Sequence, residues 1–142
     1  MQKIILDTNV IISSLIQTSF PYKIVNELFI ENKITLCVSQ ALMMEYHQVL
    51  QRPKFAGYYD FKTRAEILLA DIETKAIMFF PEISLDLISD KDDNKILELA
   101  DVSMADFIIT GNTTDFTFPN YKQTRIVTPK EYYLYYNLLD GY

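Results

Sequence analysis

Residues Lys3-Ile4-Ile5-Leu6-Asp7-Thr8-Asn9-Val10-Ile11-Ile12 form an apolar run that stops in an acid and an amide and then resumes. The part from Lys3 to Leu6 is short, β-branched at two positions and apolar on both alternating faces, the pattern of a strand covered by helices on both sides. In open parallel sheets chemistry collects at the carboxyl ends of the strands. Asp7 falls at such an end, with Asn9 two residues on. Either side chain also suits the cap of a following helix, so the stretch alone leaves cap and site equally open.

Working outward, Val10 to Leu15 is apolar enough to begin a helix or tight turn leading away from the strand. Pro21 favours a first helical turn, and Tyr22, Val25, Leu28 and Phe29 recur at helical spacing, which predicts a helix over about 21–31. Ile34 to Val38 reads as a second buried strand. Strand, helix and strand in about 35 residues is the size of a right-handed crossover, so the two strands are expected to be parallel neighbours. Ser39 is placed to cap a third helix with an apolar face of Leu42, Met43, Tyr46, Val49 and Leu50, ended at Arg52-Pro53. Gly57 to Asp60 reads as a turn, and Thr63-Arg64-Ala65-Glu66 as a capping box opening the next helix. Ile77 to Phe80 is either that helix's end or an edge strand.

Ser89-Asp90-Lys91-Asp92-Asp93-Asn94-Lys95 is the densest charge cluster and precedes a helix face of Ile96, Leu97 and Ala100, where acids complement the helix's positive end. Phe107 to Thr110 is a third buried strand, followed by the polar loop Gly111 to Phe116. Arg125 to Val127 is a fourth, and Thr128-Pro129-Lys130-Glu131 is a second capping box, opening a tyrosine-rich helix through about Leu139. This order predicts one α/β domain over 1–142, three layers (α/β/α) around a mainly parallel sheet of four or five strands.

The 142 residues are 49% apolar, with nine Phe and ten Tyr, enough for a substantial core. No run approaches the roughly 18 uninterrupted apolar residues of a membrane span, and the amino terminus lacks signal-peptide order, so a cytoplasmic protein is expected. The single Cys37, inside Ile34-Thr35-Leu36-Cys37-Val38, reads as a buried small hydrophobe. A net charge of −6 argues against a strongly basic nucleic-acid-binding surface. It is compatible with a nuclease whose acids hold cations that bridge to phosphate.

Acids and amides follow the first strand (Asp7, Asn9) and the third (Asn112, Asp115), and the helix start at Asp93 lies at the same edge of the sheet. Glu45 is within about two helical turns of that edge. Two unit charges about 4 Å apart interact by about 1 kcal/mol in water and about 4 kcal/mol at an effective dielectric near 20, so clustered carboxylates repel unless a cation joins them. Oxygen ligands without a His or Cys set select Mg²⁺ or Mn²⁺ over zinc. The usual use of those ions is phosphoryl chemistry.

At these residues the chain resembles the PIN-domain ribonucleases. Ile5 through Ser13 is similar to the family's opening motif, Ser39 followed by Glu45 to the second, and Asp93-Asn94-Lys95-Ile96-Leu97-Glu98-Leu99-Ala100 with Ala105-Asp106-Phe107-Ile108-Ile109-Thr110-Gly111-Asn112 to the third and fourth. Leu50-Gln51-Arg52-Pro53-Lys54-Phe55 is similar to a stretch in the VapC-like branch, the toxins of toxin–antitoxin pairs. The resemblance implies Asp7, Glu45 and Asp93 as metal-binding acids, with Asn9 or Thr110 orienting them or a water. Where the family often has an acid this chain has Asn112, which supplies a carbonyl oxygen but no charge. Asp115 is the nearest acid to act in its place, directly or through a water.

The function so implied is that of a hydrolase: a Mg²⁺- or Mn²⁺-dependent ribonuclease cleaving RNA phosphodiesters, partnered by a small antitoxin and forming a homodimer. A rival is a catalytically impaired PIN fold serving as a binding module in a regulatory complex, supported by Asn112. A third reading, a haloacid-dehalogenase-like phosphotransferase using Asp7, wants a second Asp where Asn9 stands and more chain for a cap domain. His47, the only histidine, reads as a surface or groove residue, Asp106 as a turn residue, and Arg52, Lys54, Lys62 and Arg64 as a solvated basic group with an RNA backbone as the alternative use. Tyr132, Tyr133, Tyr135 and Tyr136 read as packing residues before base-stacking ones.

Overall fold

The structure is a computed structural model and describes residues 1–86, 91–111 and 118–140, with the side chains of 91–93 and 139–140 outside the description. The strands are β1 (Lys3–Leu6), β2 (Thr35–Ser39), β3 (Ile77–Phe79), β4 (Phe107–Ile109), β5 (Asn120–Tyr121) and β6 (Thr124–Val127). The helices are α1 (Thr8–Ile16), α2 (Phe20–Lys23), α3 (Gln40–Leu50), α4 (Phe61–Lys75), α5 (Lys91–Ser103) and α6 (Pro129–Asp140). Together they form the three-layer α/β/α arrangement.

The sheet has six strands in the order β3-β2-β1-β4-β6-β5, all parallel except β5, which pairs antiparallel with β6. Four or five strands were expected; the sixth is β5. It belongs to a hairpin turning through Lys122, whose φ of 51° lies in the left-handed region. The turn lacks the Asn-Gly or Asp-Gly pair that makes such hairpins readable. Its hold is tertiary instead: Lys122 Nζ lies 2.6 Å from Asp101 Oδ1, and Tyr121 donates to the same oxygen at 3.0 Å.

From β1 the chain steps outward to β2 and then β3, and α5 carries it back across the sheet to β4, on the other side of β1. Right-handed crossovers in opposite directions put their helices on opposite faces. Accordingly α1 packs on α3 and α4 on one face, while α5 lies along β1, β2 and β3. The strand order reverses between β1 and β4, and the crevice at such a reversal is where open α/β sheets bind ligands.

Ile4, Ile5 and Leu6 are fully buried, as are Leu36, Ile108 and Ile109 beside them. Cys37 is also fully buried, and burial pushes its thiol up to about 11, so it acts as a core residue. Tyr132 is fully buried with its hydroxyl on Gln2 Oε1 at 2.6 Å and its ring edge-on to Phe107, so the terminal tyrosines serve packing.

Three local expectations change. The helix expected over 21–31 is one α-helical turn, α2, followed by a π-helical stretch Ile24–Phe29. The wider turn puts Ile24, Val25, Leu28 and Phe29 into the core together. The box at Thr63-Arg64-Ala65-Glu66 does not open α4, which starts at Phe61 after Asp60. Phe61 is buried and stacked on Phe55 at 5.0 Å, and that anchor sets the helix start ahead of any cap. Ile77 to Phe79 forms a strand at the edge of the sheet, resolving the alternatives left open there.

The second box forms as expected. Thr128 N–H donates to Glu131 Oε1 at 2.9 Å and Glu131 N–H to Thr128 Oγ1 at 3.1 Å. Thr128→Ala removes one half of this pair and is expected to lower unfolding stability by about 1 kcal/mol, measured by urea denaturation.

Candidate active site at the sheet's switch point

Asp7 follows the last residue of β1 and Thr110 the last of β4, so the reversal in strand order sets them side by side. Asp7 is 6% exposed and Thr110 is fully buried. Asp7 Oδ1 accepts the Thr8 N–H at 2.7 Å, which makes it the cap of α1. Its Oδ2 accepts the Thr110 hydroxyl at 2.7 Å and Asn9 Nδ2 at 3.3 Å. One Asp7 oxygen thus holds the helix start and the other is engaged at the β1–β4 junction, so capping α1 leaves the second oxygen's position at the switch point intact.

Asn9 spans that junction. Its Nδ2 reaches Asp7, and its Oδ1 accepts the Gly111 N–H at 3.2 Å. An amide can donate to a carboxylate and accept from a peptide N–H at the same time, which an ionised carboxylate cannot do. An aspartate at position 9 would lose the donor and repel Asp7, so this geometry tells against the phosphotransferase reading.

Glu45 reaches the same place from α3. Ser39 caps that helix through the Leu42 N–H at 3.2 Å and fixes its start at the end of β2. Thr8 Oγ1 donates to Glu45 Oε2, and Lys95 Nζ lies 2.8 Å from Glu45 Oε1. Lys95 and Glu45 are only 19% and 21% exposed. Tyr46, next to Glu45, is fully buried and donates its hydroxyl to the carbonyl of Leu6, the residue before Asp7. Burial first, then the charges of Asp7 and Glu45, hold the phenol well above its ordinary value, so it remains a proton donor to Leu6.

The structure thus joins Asp7, Asn9, Thr110 and Glu45 in one hydrogen-bonded group. Asp93 belongs to the first turn of α5, the helix whose Lys95 meets Glu45, but its side chain lies outside the description. Asn112 and Asp115 lie outside the described residues altogether. Among the described residues, of which the Asp93 side chain is not one, no three His, Cys, Asp or Glu side chains stand close enough to hold a metal. The donor chemistry present, carboxylate, hydroxyl and amide oxygen, fits a hard cation, and the Lys95 ammonium shows that the crevice accommodates positive charge at Glu45.

Thr8, Tyr46 and Lys95, which the structure adds to this group's surroundings, were not singled out in the sequence. Thr8 sits between two expected ones, Tyr46 follows Glu45, and Lys95 lies two places after Asp93, so adjacency was the available signal. Asp106 accepts the Lys3 N–H at 2.8 Å at the opposite end of β4, away from the site. His47 pairs with Glu73 at 2.6 Å along a groove of about 600 Å³ between α3 and α4, which Arg52 and Lys62 also line. Arg64 turns to a separate recess with Tyr22 and Asp71, so the four basic residues do not form one patch.

An α/β sheet with a capped aspartate at its switch point and a glutamate delivered from the second crossover defines a class of acidic-site folds. A family model described as PIN domain matches residues 3–114, and the chain belongs to the PIN domain family. An uncharacterized protein of Methanocaldococcus jannaschii, MJ1680, is 30% identical over 139 residues, covering 92% of this chain and 88% of its own. Among solved structures, VapBC2 from Rickettsia felis, bound to a DNA fragment from their promoter, matches with a TM-score of 0.57. That match covers 89% of this chain and 98% of the other at 13% identity, a likeness of fold. Among the described residues no helix is long and apolar enough to cross a membrane.

Proposed function

We propose that this PIN domain is a divalent-metal-dependent ribonuclease, the toxin member of a toxin–antitoxin pair. The observation that carries the reading is the convergence of Asp7 and Glu45 at the switch point, joined through Thr8 and tied to β4 by Thr110 and Asn9. Family membership supports nuclease chemistry at that place. Asp7 and Asp93 are assigned as metal ligands, with Glu45 aiding metal or water position and Asp115 compensating for the uncharged Asn112. Held by these residues, Mg²⁺ or Mn²⁺ would supply Lewis acidity toward a phosphate and an acidified water. The chain's own part is orientation: Thr110 and Asn9 restrict the Asp7 carboxylate, and Thr8 restricts Glu45, so neither reorganises as charge develops. The Rickettsia assembly supports a small antitoxin as partner. Homodimerisation is assigned on the family resemblance.

The test is incubation of the purified chain with end-labelled single-stranded RNA in Mn²⁺, in Mg²⁺ and in EDTA. Cleavage with either metal and none in EDTA is expected. Cleavage that persists undiminished in EDTA removes the metal reading. RNA retention without cleavage under all three conditions selects the binding-module alternative that Asn112 supports.

A further inference from the structure

We infer that Lys95 is a resident counter-cation of the site: in the metal-free chain its ammonium occupies the position on Glu45 that a divalent ion takes, so metal entry displaces it. The inference rests on the metal-site reading above and concerns how tightly the metal is held. Both oxygens of Glu45 are engaged, Oε2 by the Thr8 hydroxyl and Oε1 by Lys95 Nζ at 2.8 Å. Both partners of the ion pair are largely shielded from solvent, at 19% and 21% exposure, so it is screened less than a surface pair. An ammonium and a dication cannot share one carboxylate oxygen without strong like-charge repulsion. Glu45 can therefore join a metal's ligands through Oε1 only after Lys95 swings off.

The pairing also explains how carboxylates from two distant parts of the chain fold together before any ion binds. Lys95 lies on α5 and Glu45 on α3, and the two helices are in contact, so the pair bridges the layers on opposite faces of the sheet. A fixed internal cation compensates one carboxylate and leaves the rest of the group's negative charge to attract the metal. Lys95 is in this sense a positioning residue, acting on Glu45.

Calorimetric titration of Mn²⁺ into wild type, Lys95→Met and Lys95→Arg tests the idea without recourse to activity. Removal of the charge is expected to tighten Mn²⁺ binding about tenfold, while Lys95→Arg, which keeps the competing charge, stays near wild type. In EDTA, Lys95→Met is expected to melt earlier than wild type, and saturating Mn²⁺ to close that gap. Binding by Lys95→Met but not by wild type is the same competition in stronger form. Unchanged or weaker affinity in Lys95→Met beside a wild type that binds overturns the inference and leaves the metal site standing. Failure of both to bind overturns the metal reading and the inference with it. Lys95→Gln replaces Lys95→Met in the same titration if the latter does not fold, with the same outcomes.

Discussion

Asp7→Asn is expected to reduce metal-dependent RNA cleavage by roughly 10²–10³-fold, about 3 to 4 kcal/mol of transition-state stabilisation, while leaving the fold almost unchanged. The separation comes from the two jobs of this side chain. Its Oδ1 caps α1 through the Thr8 N–H, and asparagine caps as well as aspartate. Its Oδ2 accepts from Thr110 and Asn9; the Thr110 hydroxyl can rotate to accept from a new amide, while Asn9 Nδ2 gives up only a long 3.3 Å bond. The stability change is therefore expected within about 1 kcal/mol. Asp7→Ala behaves differently, since it deletes the cap and removes the acceptor of a fully buried hydroxyl. It is expected to cost about 2 to 3 kcal/mol of stability as well as activity. Initial rates at saturating Mn²⁺, beside thermal unfolding of both variants, check this. A rate for Asp7→Asn within threefold of wild type removes Asp7 from the chemistry and leaves it a cap.

How much of this was legible in the sequence follows from the range of the forces involved. Strands β1, β2 and β4 are short apolar runs whose burial on both faces leaves a continuous hydrophobic pattern, so they were readable to within a residue at each end. The capping box at Thr128 and Glu131 was readable because both its hydrogen bonds are local. The start of α4 was misplaced because Phe61 packs on Phe55, six residues earlier, and that stacking overrides the cap signal. The β5–β6 hairpin escaped because its turn is held by Asp101, about twenty residues away. The same limit applies to the site. Asp7, Asn9 and Thr110 stand out in the sequence as polar residues at the ends of apolar strands, and Glu45 as an acid inside an amphipathic helix; the structure brings the four together. The Lys95–Glu45 contact joins helices from opposite sides of the sheet, and its register depends on how those helices pack. Local sequence holds no record of that register.

Tyr46 is expected to be the most sensitive position in the framework behind the site. Its side chain is fully buried and its hydroxyl is given to the Leu6 carbonyl, immediately before Asp7. Tyr46→Ala opens a cavity at the junction of α3 and β1 and is expected to cost about 3 to 5 kcal/mol. Tyr46→Phe keeps the ring but deprives the carbonyl of this donor, at about 1 to 3 kcal/mol. The pH dependence separates the hydroxyl from mere packing. Well below pH 10 the phenol is protonated in both folded and unfolded chains and contributes no slope. Above it the unfolded chain releases a proton that the folded chain retains, because burial and the charges of Asp7 and Glu45 raise the folded value. The folded state then binds more protons, so stability falls with rising pH by up to about 1.4 kcal/mol per unit from this group. Tyr46→Phe lacks that contribution. Urea unfolding of wild type and Tyr46→Phe at steps from pH 7 to pH 10.5 should show the two stabilities converging above pH 10. Parallel curves across that range would mean the hydroxyl titrates alike in both states, and the anchor between α3 and the residue preceding Asp7 would have to be sought in packing alone.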